Sequence, residues 1–138
     1  MPLEINQRQR EGITILDLKG RITVGPEAGA LREKVAELDQ ANDRKLAFNM
    51  AGVDYIDSTG LGALVVCATS LRKKNGDVKL VSLNRRHIEL LVMTKLATVF
   101  EIYPDEQDAI NSFYPDRENK TFDILDFVQR MKKEEQPG

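Results

Sequence analysis

The run Lys45-Leu46-Ala47-Phe48-Asn49-Met50, followed closely by Ile56-Asp57-Ser58-Thr59-Gly60-Leu61-Gly62, decides how this chain is read. The first run has the composition and bounded length of a strand. Beyond it Leu61, Leu64, Val65, Ala68 and Leu71 recur at helical spacing, which predicts a helix from Gly60 to about Lys74. Ser58 and Thr59 then stand at the helix's amino-terminal edge, where the first amides lack intrahelical partners and the dipole is positive. A phosphate on a hydroxyl would be well tolerated there.

Working toward the amino terminus, Glu4 to Arg8 and Ile13 to Leu18 read as strands separated by a turn at Glu11-Gly12, an opening hairpin. Gly25-Pro26 breaks the chain, and Ala28, Leu31, Val35 and Leu38 follow at the spacing of an amphipathic helix. Downstream, Asn75-Gly76 is expected to end the second helix with glycine at positive φ, and Val78 to Ser82 forms a short inner strand. Asn84 can cap a helix to about Leu96, Thr98 to Tyr103 reads as the last strand, and Asp105 starts a helix through Phe113. Strands alternating with helices predict an α/β fold, with an opening antiparallel pair and parallel crossovers in a mixed sheet.

Bulk properties narrow the function. A chain of 138 residues suits one domain, and 20 basic against 22 acidic residues show no general attraction to nucleic acid or anionic membrane. The amino terminus has no basic segment leading into an apolar stretch, and no run approaches the roughly 20 apolar residues of a membrane span, so a cytoplasmic protein is expected. Cys67, the sole cysteine, sits among small apolar residues and reads as packing. One His and one Cys assemble no zinc-type cluster, and no metal or other cofactor is expected.

In this order of elements, Asp57-Ser58-Thr59-Gly60-Leu61-Gly62 resembles the Asp-Ser-(Ser/Thr)-Gly-Leu-Gly segment of the small STAS-domain anti-sigma factor antagonists. The likeness extends from about Ile5 to about Phe113 and includes Gly20 after the opening β-run, the helix after Pro26, and the strand Gly76 to Val81. The resemblance implies a sheet with helices packed mainly on one side. It further implies phosphorylation at Ser58, with Thr59 the second choice, and a partner surface of Asp57, Ser58, Thr59, Gly60, Leu61 and Gly62 joined by Arg21 and Thr23. The partner implied is an anti-sigma factor with serine kinase activity, and a phosphatase would reset phospho-Ser58. Many members carry Gly-x-Leu-Asp after the opening strand, whereas this chain reads Gly20-Arg21-Ile22-Thr23; Thr replaces Asp, and Arg21 is a candidate compensating contact.

Other chemistries find less in the residues. Ser58 or Asp57 can simply cap the helix, and Gly60 and Gly62 can serve tight packing. Gly60-Leu61-Gly62 continues without the third glycine of a dinucleotide fingerprint, and no phosphate-binding Gly-x-x-x-x-Gly-Lys loop is present. A hydrolase would need His87 beside Ser58, yet Gly-x-Ser-x-Gly is absent and His87 reads as a surface or capping residue. Asp54 and Asp57 read as turn formers. No enzyme activity is expected. The competing classes are a non-switching STAS module, in a signalling scaffold or a lipid-transport assembly, and a ligand-binding or slowly nucleotide-hydrolysing domain.

Residues 1–114 are read as the STAS domain and 115–138 as a polar linker, an added helix and a frayed tail. Phe122, Leu125, Val128 and Met131 define one stripe of that helix, with Asp123 and Lys132-Lys133 complementing its dipole. The stripe is expected to dock on the chain's own core, with a partner or a second copy as the alternative.

Overall fold

The computed structural model describes residues 2–135; the tail expected to fray beyond them lies outside the described residues. The chain opens with β1 (Glu4–Arg10) and β2 (Ile13–Ile22). Glu11 and Gly12 join them at φ of 52° and 82°, the positive values that match a two-residue turn to the twist of its strands. There follow α1 (Pro26–Gln40), β3 (Lys45–Ile56), α2 (Ser58–Arg72), β4 (Asp77–Val81), α3 (Arg85–Met93), β5 (Glu101–Tyr103), α4 (Glu106–Asn111) and α5 (Ile124–Glu135).

The five strands lie in chain order, β1 antiparallel to β2 and the remaining pairs parallel. Right-handed crossovers that advance in one direction put successive helices on one face. The core agrees. Leu16 and Leu18 of β2, Leu46 and Phe48 of β3, and Val78 and Leu80 of β4 meet Leu31 and Val35 of α1, Leu64, Cys67 and Leu71 of α2 and Leu91 of α3. Each such Leu, Val or Phe side chain, fully buried, contributes on the order of 1.5–3 kcal/mol relative to exposure. The opposite face presents Ile13, Ile15, Ala47, Val81 and Tyr103 to Ala109 and Ile110 of α4, the one helix on that side of the sheet among the described residues.

Several boundaries differ from the sequence reading. β2 runs four residues past Leu18 and β3 six past Met50, so Asp54 lies within a strand rather than in a turn. The two extensions pair with each other, from Lys19 opposite Gly52 to Ile22 opposite Ile56, entered through one register shift between Asp17 and Lys19 and crossed by a second between Gly20 and Arg21. At the end of α2 the positive φ belongs to Asn75 (64°), and the Gly76 amide closes back on the Leu71 carbonyl at 2.8 Å. Gly76 is required for space, since a Cβ there would overlap the Arg44 carbonyl oxygen.

α3 stops at Met93 because Lys95 takes φ of 62° and the Leu96 amide returns to the Leu91 carbonyl at 2.8 Å. Thr98 to Phe100 form a turn instead of strand, with the Val99 amide on the Leu96 carbonyl. The expected stripe on α5 also shifts. Leu125 is 69% exposed, while Phe122, which precedes the helix, and Ile124 pack against the core. The Phe122 amide donates to the Ile102 carbonyl at 2.8 Å on the edge strand β5.

His87 is buried, correcting the surface reading while its capping role is kept. Its Nδ1 accepts from the Asn84 amide at 3.2 Å, and its Nε2 lies 3.0 Å from the Val53 carbonyl. Acceptance at one nitrogen and donation at the other need the neutral ring with its proton on Nε2. Burial accordingly lowers the pKa of His87 from the ordinary histidine value. A depressed histidine contributes its full stability above the unfolded-state value near 6.5 and loses it as pH falls below that. The free energy of unfolding should therefore fall more between pH 7.5 and 5.5 for the native chain than for His87→Gln, read by urea denaturation; parallel declines would contradict this role.

Candidate functional site: the junction of β3 and α2

The strand-to-helix step is built on Asp57. Its backbone is extended (φ −93°, ψ −178°), and its Oδ1 accepts the Gly60 amide at 2.7 Å, satisfying one of the unpaired donors of the first turn of α2. Its Oδ2 accepts the Val24 amide at 2.9 Å, from the loop between β2 and α1. The Asp57 amide in turn donates to the Ile22 carbonyl at 3.3 Å. These bonds, from Gly60 first and Val24 second, hold the carboxyl below the usual carboxylate range. Asp57 thus ties together the ends of β2, β3 and the start of α2.

Ser58 and Thr59, the first two residues of α2, are exposed. The two glycines that follow do different work. A Cβ at Gly60 would overlap the Ile22 carbonyl oxygen, so this residue lets α2 press on β2; at Gly62 a Cβ would meet nothing within 4 Å. Gly60 and Leu61 are buried and support the surface from beneath, leaving Ser58, Thr59 and Gly62 as its outer part.

Arg21 is exposed on the β2 extension, paired in register with Tyr55, and Thr23 is half-buried in the loop that begins α1. Val24, held to Asp57, is 65% exposed, and Val66, one turn beyond Gly62 on α2, is 48% exposed. Neither stood out in the sequence, because both are ordinary apolar residues whose exposure depends on long-range packing. Cys67 is buried and its thiol is pushed up to about 12 by that burial, which leaves it a packing residue. Among the described residues no group of three or more His, Cys, Asp or Glu is placed to hold a metal ion, and no helix is long and apolar enough to cross a membrane.

The glycine difference is testable. Gly60→Ala should cost at least about 2 kcal/mol through forced displacement of Ile22. Gly62→Ala should leave stability unchanged or raise it by up to about 1 kcal/mol, since alanine is the better helix former in open space. Denaturant titration of both variants checks this; equal losses would contradict the assignment.

Comparison with known proteins gives a consistent picture. The family model for the STAS domain matches residues 4–109. An anti-sigma-B factor antagonist from Bacillus subtilis is 33% identical over 103 residues, covering 74% of this chain and 92% of that protein. The fold is shared with a candidate anti-sigma factor antagonist from Thermotoga maritima, at a TM-score of 0.71 and 22% identity over 78% of this chain and 92% of that one. It is shared also with the Bacillus cell fate determinant SpoIIAA in its phosphorylated form, at a TM-score of 0.62 and 14% identity over 80% and 99% of the two chains.

Proposed function

The chain belongs to the STAS domain family, and on that premise we propose that it is an anti-sigma factor antagonist switched off by phosphorylation of Ser58. The observation that carries this reading is the exposed Ser58 at the first position of a 15-residue helix, between the exposed Val24 loop and the open Gly62 position. The name of the Bacillus subtilis relative supports the partner class. That a protein of the same fold has been seen phosphorylated supports the fold's tolerance of the modification.

In the proposed cycle the unphosphorylated chain binds an anti-sigma factor that is also a serine kinase. That partner transfers a phosphoryl group from ATP to the Ser58 hydroxyl, with Thr59 the second-choice acceptor, and a phosphatase later removes it. Phosphorylation adds about −1.5 to −2 charges and three strong acceptors. The helix dipole and free first-turn amides favour such a group, so the fold persists. A partner packed over Ser58, Thr59 and Gly62 meets repulsion and a desolvation cost. The chain contributes a hydroxyl and a surface and has no catalytic apparatus of its own in this cycle, which takes place in the cytoplasm. We take 1–114 as the STAS domain and 115–138 as an appended segment that offers a surface for self-association.

The test compares native chain, Ser58→Ala and Ser58→Asp for retention of a kinase-type anti-sigma factor from the source organism, identified by mass spectrometry. The first two should retain it and Ser58→Asp should lose it while keeping its thermal unfolding temperature within a few degrees. Equal retention by all three would point to a constitutive module. In the same assay Gly62→Ala should weaken retention without loss of stability.

A further inference from the structure

From the architecture around Tyr55 we infer that the groove between the end of β3 and the start of α3 is a second recognition element, which takes a partner segment carrying spaced carboxylates beside an apolar side chain. Two adjoining depressions form it, of about 260 and 460 Å³. Asp54, Tyr55 and Arg86 line both; Arg21 closes one end and Leu90 the other. Tyr55 is 56% exposed, a large aromatic left open on the extended part of the sheet. The walls are held in place, because His87 of α3 reaches the Val53 carbonyl of β3 at 3.0 Å and is itself locked into the cap with Asn84.

Charge selects the occupant. Among the described residues neither Arg21 nor Arg86 forms an ion pair or a side-chain hydrogen bond, whereas Arg8, Arg10, Arg44, Arg72 and Arg85 are all engaged by carboxylates. Two free guanidiniums at the rim of a partly apolar groove fit carboxylates, which they can bind bidentately, with Tyr55 and Leu90 beneath for an apolar side chain. Asp54, shared by both depressions, disfavours a dense polyanion and so favours a peptide with separated acidic groups over nucleic acid. Arg21 and Tyr55 pair in register one step before Ile22 and Ile56, and the Asp57 amide is held by the Ile22 carbonyl, so the groove lies on the strand ends that lead into the switch helix. That the segment belongs to an anti-sigma factor rests on the proposed function; the groove's preference for acidic peptide does not.

The experiment titrates the isotopically labelled full chain with a short peptide alternating glutamate and leucine, and with its lysine-leucine counterpart, following backbone amide shifts by NMR. The acidic peptide should perturb amides around Arg21, Tyr55 and Arg86, with affinity falling about fivefold for each of Arg21→Gln and Arg86→Gln and falling further with added salt. The titration uses the unphosphorylated chain with no kinase present, so failure of the phosphorylation reading would leave this result intact. Absence of shifts at these residues at millimolar peptide, equal response to the lysine peptide, or undiminished binding by the double variant with a native spectrum would overturn the assignment.

Discussion

Both carboxylate oxygens of Asp57 are committed to backbone amides, one in the helix it caps and one in a loop 33 residues away, and the site is arranged around that pair of hydrogen bonds. It sets where α2 begins and fixes Val24 beside the serine. With Gly60 seated against the Ile22 carbonyl, the helix start has little room to shift. The carboxylate is therefore a structural anchor, and the chemistry available to a partner falls to the residues around it: the exposed hydroxyls of Ser58 and Thr59, an open glycine and two exposed valines.

A phosphate placed on Ser58 would enter a field already shaped by this anchor. The Asp57 charge is spread over two hydrogen bonds, and the first turn of α2 offers the positive end of a 15-residue helix. Repulsion inside the domain is thereby offset locally. In the proposed cycle, a partner surface with acidic or apolar groups packed over Ser58 would lack such compensation, and the same charge that the fold absorbs would oppose association. That asymmetry is the physical basis of the proposed switch, and it needs no rearrangement of the core.

The fold was largely legible because its helices carry clean apolar spacing: Ala28, Leu31, Val35 and Leu38 all turn inward, as do Leu61, Leu64, Ala68 and Leu71. The strand extensions were not legible. Ala51-Gly52-Val53-Asp54-Tyr55 breaks alternation with a glycine and an acid, both ordinary turn signals, yet Gly52 passes close to the Leu18 carbonyl and the segment continues beside the extended β2. The serine and its helix position could be read from local sequence. The neighbourhood of Val24, and the meeting of Arg21, Tyr55 and Arg86, arise only when β2, β3 and α3 are brought together, which no local pattern encodes. His87 shows the same limit: its cap with Asn84 was readable, its reach to Val53 was not.

The most direct measurement is to phosphorylate the full chain with the proposed anti-sigma factor kinase, locate the phosphate by tandem mass spectrometry, and compare amide NMR spectra before and after. One phosphate on Ser58, with shifts confined to Val24 and the first turn of α2 in an otherwise unchanged spectrum, is the predicted result. Phosphate on another residue, no phosphate at all, or a collapse of spectral dispersion on modification would contradict a switch that acts at the surface of an intact fold.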